Sequence, residues 1–226
     1  MTDQTHLAIG DREDMERFAA LLATRLRAGD VIILTGNLGA GKTTLTQFLA
    51  TALGVTGRVS SPTFVIARAH ANPRPDRPPL VHVDAYRLGD AAEFSDLDLE
   101  YGHDEAVTVI EWGRGLAEEL SADHLEIVIT RAGEDSEAAP VADPTASADA
   151  GSADATSDAP ATDPATAPDT GSLDVSDLLG DSSPGPVDLT EADEDETRTI
   201  RLIPTGPSWH TRISAIAAAY ADQEPA

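Results

Sequence analysis

Residues 36–43 read Gly36-Asn37-Leu38-Gly39-Ala40-Gly41-Lys42-Thr43, a full match to the pattern G-x-x-x-x-G-K-[ST], in which a glycine-rich loop leads from a strand into a helix around phosphate oxygens. The flanks agree with that geometry. Before the loop, Val31-Ile32-Ile33-Leu34-Thr35 is a β-branched apolar run of the kind found in buried parallel strands. After it, Leu45, Phe48, Leu49, Ala52 and Leu53 fall at helical spacing and Gly54 closes the segment. Strand, glycine loop and helix in that order let consecutive N–H groups form an anion nest, add the positive end of the helix dipole, and offer the Thr43 hydroxyl to Mg²⁺. Gly36, Leu38, Gly39, Ala40, Gly41, Lys42, Thr43 and Thr44 are therefore the candidate nucleotide-binding residues. Lys42 is the only lysine among 226 residues. A composition that otherwise uses arginine keeps a lysine where a compact ammonium fits between phosphate oxygens and a planar fork does not.

The rest of the chain is consistent with an α/β, P-loop NTPase-like fold: a mostly parallel central sheet flanked by helices, ending in a β-hairpin. Residues 7–9 read as a short strand. Residues 11–28 read as an amphipathic helix with Met15, Phe18, Leu22 and Leu26 on one face and Gly29 closing it. Ser61-Pro62-Thr63-Phe64 is a turn entering a strand that runs to Arg68, and residues 72–79 are a proline-rich loop. Strands are expected at 80–86 and 107–112, short helical turns at 91–104, and a brief helix at 116–120. Residues 124–131 and 197–203 are strand-like, and 209–220 is a closing helix.

Charge separates one segment from all others. The net charge is −25, and residues 133–196 hold 18 of the 40 acidic residues, no basic residue and no aromatic one. Such a stretch buries too little apolar surface to offset its ordering entropy and reads as a disordered acidic insertion. The expected organisation is one domain made of residues 1–132 and 197–226, with 22 acidic residues against 15 basic. The last two strands then form a hairpin whose turn has grown to 64 residues. Relative to a four-residue turn, loop closure costs about 2.5 kcal/mol more, which a domain of this size absorbs. Within the insertion, 173–179 is an apolar island, read as a solvated patch or as a segment that orders on a partner.

Several classes are disfavoured. The chain has no cysteine, so disulfides and thiolate metal sites are ruled out. The acidic balance argues against a broad nucleic-acid surface. The first seven residues lack the basic start and apolar stretch of a signal peptide, and no run approaches membrane-spanning length, so a cytoplasmic protein is expected.

Phosphoryl transfer needs a metal-holding acid and a group that orients the attacking oxygen. Glu111 ends an apolar strand, where such an acid usually completes the Mg²⁺ shell directly or through water, and Asp84 ends another. Parallel strands would bring both to the rim that carries the glycine loop; the alternative for each is a cap on the next helix. Thr63 is either a switch residue closing over the γ-phosphate and metal or a hydroxyl satisfying a turn. His82 reads as a packed or hydrogen-bonded structural residue, and Trp112 as either core or partner surface.

Gly-Asn-Leu-Gly-Ala-Gly-Lys-Thr-Thr at 36–44, Ser-Pro-Thr-Phe at 61–64, His-Val-Asp-Ala-Tyr-Arg-Leu at 82–88 and Val-Ile-Glu-Trp-Gly at 109–113 together closely resemble the TsaE (YjeE) family. The resemblance spans nearly all of the chain outside the insertion. It implies the ATPase subunit of bacterial tRNA threonylcarbamoyladenosine synthesis, which binds ATP and Mg²⁺ and associates with the TsaB and TsaD proteins. It also implies support of repeated threonylcarbamoyl transfer to adenosine 37 of tRNA, with the tRNA held indirectly through the complex. By position, the loop from Leu38 to Thr43 would hold the phosphates, Thr43 and Glu111 the metal, and Lys42, Thr63, Asp84 and Glu111 the catalytic centre. Tyr86, Arg87 and Trp112 lie in the same segments. Asn37 stands where the family usually has Asp, and the insertion and the unrecognised threonine early in the first helix are departures from the family pattern.

The main rival is a P-loop small-molecule kinase with Asp84 as base and Arg87 or Arg114 as a charge clamp. A guanine-binding Asn-Lys-x-Asp motif is impossible, because the sole lysine is already in the glycine loop. A degenerate protein that holds ATP without hydrolysing it is disfavoured by intact Lys42, Thr43, Asp84 and Glu111.

Overall fold

The computed structural model describes residues 4–59, 67–97, 99, 103–134 and 197–222. The expected turn and switch residue at 61–66, Thr63 included, and the apolar island at 173–179 lie outside the described residues, as do 135–196 of the acidic segment.

Among the described residues, seven strands form one sheet: β1 (Thr5–Ile9), β2 (Val31–Thr35), β3 (Ala67–His70), β4 (Leu80–Asp84), β5 (Val107–Glu111), β6 (His124–Arg131) and β7 (Arg198–Thr205). Their order across the sheet is β1-β7-β6-β2-β5-β4-β3. The four central strands β6, β2, β5 and β4 run parallel, while β1, β7 and β3 join antiparallel at the edges. Every residue of β2, β4 and β5 is buried. Both faces of a parallel centre are covered, which is why β2 is a nearly unbroken apolar run; β4 and β5 carry His82, Asp84, Thr108 and Glu111 as buried polar residues among apolar ones.

One face is covered by the long helices α1 (Arg12–Ala23), α2 (Lys42–Leu53) and α4 (Pro207–Ala221). Phe18, Leu22, Leu45, Leu49, Leu53, Trp209 and Ile213 there meet Ile32, Leu34, Val109 and Ile127 of the sheet. The other face is covered by α3 (Ala91–Ser95) and the turns after β5, with Phe94, Leu88 and Ala117 against Val31, Ile33, Val83 and Ile110. The side-chain period of two therefore decides which β4 and β5 residues look toward α2: Leu80 and Val109 do, whereas Val81, Val83 and Ile110 face the other way.

Two elements differ from expectation. The first helix ends at Ala23, five residues short of the apolar pattern. The Thr24 hydroxyl donates to the Leu21 carbonyl at 2.6 Å, and the amides of Arg25 and Leu26 bond three residues back, to Leu22 and Ala23. That pattern tightens the chain into a turn and ends the α ladder. Leu26 still packs against the core, so periodicity extended past the helix itself. Residues 116–120 are not a helix but separate hydrogen-bonded turns, with the amides of Leu116 and Ala117 both bonding to Gly113 and that of Leu120 to Ala117.

The hairpin forms as expected. β6 and β7 pair from His124↔Thr205 to Arg131↔Arg198, and the Ala132 amide extends the ladder to the Thr197 carbonyl at 3.0 Å.

Candidate nucleotide and metal site

The glycine loop joins the carboxyl end of β2 to the start of α2. Gly41, the N-cap, sits at φ 107°, a left-handed conformation that glycine adopts without strain. At Gly36 a side chain would run into the Ile129 carbonyl of β6. The sheet itself thus requires glycine at the first position of the motif.

Lys42 lies at the first turn of α2 and is 5% exposed. Its Nζ donates to the carbonyls of Gly36 at 2.7 Å and Asn37 at 2.9 Å, and stands 3.7 Å from the centroid of the Trp112 ring. The lysine is thereby held by its own loop with an indole over its charge. Burial pushes its pKa down to about 8, against the opposing pull of Glu111, Asp84 and Glu134.

Glu111 and Asp84 are register partners at the ends of β5 and β4, so the expected convergence occurs. Glu111 is 2% exposed and both of its oxygens are engaged: Oε2 accepts from the Thr43 hydroxyl at 2.9 Å, and Oε1 meets His82 Nε2 at 2.8 Å. Asp84 is buried and accepts from the Tyr86 amide at 3.1 Å. Tyr86, 59% exposed, lies 5.1 Å from Trp112 between ring centroids. Trp112, half-buried with φ 62°, therefore bridges the lysine and an exposed tyrosine. Leu38, at the loop tip, is 81% exposed.

The donor set suits Mg²⁺. Two oxygens occupying adjacent corners of an octahedron with 2.0–2.1 Å bonds stand about 2.9 Å apart, the separation found between Thr43 Oγ1 and Glu111 Oε2. No group of three or more His, Asp or Glu among the described residues could hold a metal. Mg²⁺ needs none, since it takes one or two protein oxygens and fills its shell from phosphates and water.

Two arginines at the loop carry no signature in the sequence. Arg198, 7% exposed at the start of β7, donates from Nε to the Ala40 carbonyl inside the loop at 3.1 Å. Arg131, its partner across the hairpin, approaches Gly39. Glu134 bonds to Arg131 and to Asn37, and these hydrogen bonds outweigh slight burial to hold its carboxyl below the usual range. Only the pairing of β6 with β7 brings these residues to the loop, and the one available sequence cue is that both flank the acidic segment. Arg114, a candidate clamp, is instead ion-paired to Glu126 at 2.6 Å.

A family model described as threonylcarbamoyl adenosine biosynthesis protein TsaE matches residues 9–139, more than half of the chain. The chain belongs to the TsaE family. Among curated relatives, a Streptomyces coelicolor TsaE is 56% identical over 119 residues, 52% of this chain and 80% of the relative. TsaE of Mycobacterium tuberculosis H37Rv is 47% identical over 125 residues, 53% of this chain and 74% of the relative. TsaE of Bacillus subtilis is 43% identical over 123 residues, covering 54% and 75%. Each is named as a tRNA threonylcarbamoyladenosine biosynthesis protein. The crystal structure of Bacillus subtilis YdiB superposes with a TM-score of 0.58 over 97% of both chains at 24% identity, a likeness of fold. In this TsaE-family chain, no helix among the described residues is long and apolar enough to cross a membrane.

Proposed function

We propose that this protein is a Mg²⁺-dependent ATPase that acts in tRNA threonylcarbamoyladenosine synthesis by binding TsaB and TsaD proteins in the cytoplasm and supporting threonylcarbamoyl transfer to adenosine 37 of tRNA. One observation carries the enzymatic part of this reading: the Thr43 hydroxyl, the Glu111 carboxylate and the Lys42 ammonium converge at the start of α2. Family membership and the names of the relatives support the pathway.

In this reading the loop amides from Leu38 to Thr44 and the Lys42 ammonium bind the phosphates, with the lysine exchanging the carbonyls of Gly36 and Asn37 for phosphate oxygens. Thr43 and Glu111 hold Mg²⁺, which when bound neutralises charge developing on the transferred phosphoryl group. Asp84 orients the attacking water from the adjacent strand end, and Thr63 closes over the γ-phosphate. The unit responsible is residues 1–132 with 197–226, the acidic segment being an addition to it. tRNA is reached through the complex, as the acidic balance of the chain suits no broad polyanion surface.

The test is hydrolysis of ATP with and without TsaB and TsaD, together with a screen of acceptor alcohols. Slow hydrolysis alone, altered by the partners and without transfer to any alcohol, is expected. A rate indifferent to the partners contradicts the reading, and transfer to an alcohol points to a kinase with Asp84 as base. Cells whose sole copy carries Lys42→Ala or Glu111→Ala should lose the tRNA modification while the purified variants keep a cooperative melt.

A further inference from the structure

We propose that His82 is a positioning residue for Mg²⁺: from a buried site on β4 it holds one oxygen of Glu111, so that the other stays beside the Thr43 hydroxyl. The inference rests on the proposed Mg²⁺-nucleotide site and extends it to a side chain that touches neither nucleotide nor metal.

His82 is fully buried on β4, two residues before Asp84 and therefore on the same face of the strand. Its cross-strand partner is Val109 and its same-face neighbour along β4 is Leu80, both part of the apolar core beneath α2. The ring makes one hydrogen bond among the described residues, from Nε2 to Glu111 Oε1 at 2.8 Å, while Nδ1 is buried with no partner. An apolar residue would fill this place without leaving a nitrogen unsatisfied, so packing alone does not account for a histidine. Its polar return lies on Glu111. A carboxylate at a strand end can rotate; the Thr43 hydroxyl holds Oε2 in the free protein, and the bond from His82 to Oε1 is the one that persists when a metal takes the place of the Thr43 proton, where the 2.9 Å separation matches adjacent oxygens around Mg²⁺. Groups that orient a metal's carboxylate in this way typically change metal affinity by 10–100-fold when removed.

The experiment compares His82→Gln, His82→Asn and His82→Leu with the parent protein. The glutamine amide nitrogen reaches about as far as histidine Nε2 and can donate to Glu111; the asparagine amide falls short, and leucine cannot donate. Mn²⁺ affinity of the ADP complex is read by electron paramagnetic resonance, ADP affinity in EDTA by calorimetry, and folding by thermal melting. The Gln variant should bind Mn²⁺ within about threefold of the parent and the Asn and Leu variants at least about tenfold more weakly, with ADP affinity in EDTA unchanged. Parental Mn²⁺ affinity in the Leu or Asn variant overturns the inference, as does a loss in the Gln variant equal to that in Asn. Should the Leu variant fail to fold, the contrast between Gln and Asn decides alone. A parent protein whose ADP complex does not bind Mn²⁺ overturns the Mg²⁺-nucleotide reading and this inference with it, whereas a parent that binds Mn²⁺ and is matched by its Asn variant overturns this inference only.

Discussion

A buried ammonium is costly unless something offsets it, and Lys42 is buried without a bonded carboxylate. Its pKa, pushed down to about 8 by desolvation, makes the cost measurable. Between pH 8 and 10.5 the unfolded chain holds a proton that the folded one has released, so stability of the free protein should rise with pH across this window, by at most about 1.4 kcal/mol per unit. The chain has no second lysine and no cysteine to mask the slope. Denaturant titrations at pH 8 and 9.5 should show it in the parent and not in Lys42→Met; equal slopes would contradict it. Arg198 gives a second expectation at this scale. Replacing it with alanine removes the donor to the Ala40 carbonyl, and losing one charge-assisted bond inside the loop should weaken ADP binding about tenfold, or roughly 1.4 kcal/mol. Calorimetry giving parental affinity would mean the loop keeps its shape without that arginine. Lys42, Thr43, Asp84 and Glu111 were legible because local rules place them: a loop pattern, and acids closing apolar strands. Arg198 and the bond from His82 to Glu111 were not, since each depends on which strands become neighbours, and no residue near them in sequence reports that.

At the level of elements, legibility followed the strength of the burial signal. The fully buried strands β2 and β5 read as apolar runs, β4 as an alternating strand, and α2 is framed by its glycines. The helix α1 ends before its apolar pattern does because Leu26 keeps contact with the core after the chain has turned; an apolar stripe records burial and not the hydrogen bonds that make a helix. The edge pair β3 and β4 carries its own liability. His70 on β3 is buried, and desolvation, with the nearby His82 and Arg68 adding to it, lowers its pKa to about 4 despite a backbone hydrogen bond to Thr56. The unfolded chain takes up a proton below pH 6.5 that the folded strand refuses until about pH 4. Stability contributed by neutral His70 is therefore complete above pH 6.5 and lost on acidification through that window. The loss expected between pH 7 and pH 5 is about 2 kcal/mol. In His70→Leu this component should vanish, leaving a flatter profile by chemical denaturation; an unchanged profile would assign the acid sensitivity to other groups.

For the molecule as a whole, the unusual feature is where its charge is attached. The acidic segment leaves the hairpin after Arg131 and returns just before Arg198; Arg198 bonds to Ala40 and Glu134 to Asn37 in the glycine loop, and Arg131 lies beside Gly39. A segment of eighteen acidic residues is thus anchored at both of its ends within a few residues of side chains at a proposed polyphosphate site. Two consequences can be separated experimentally by replacing residues 135–196 with a short glycine linker. The hairpin is closed by the Ala132 to Thr197 bond and paired through Arg131 and Arg198, so the deletion should fold and bind ATP, with stability raised by about 2 kcal/mol from the shorter loop. Removing the like charge should also speed ATP association at low salt, where the Debye length of about 30 Å at 0.01 M spans the distance from tether to loop. At 1 M salt that length shrinks to about 3 Å and the two proteins should associate with ATP at the same rate. Stopped-flow measurements across that range test the electrostatic part: a rate advantage independent of salt would point to steric obstruction. A deletion that folds but no longer binds ATP would show that the segment belongs to the nucleotide site, and the proposed division between catalytic unit and insertion would be wrong.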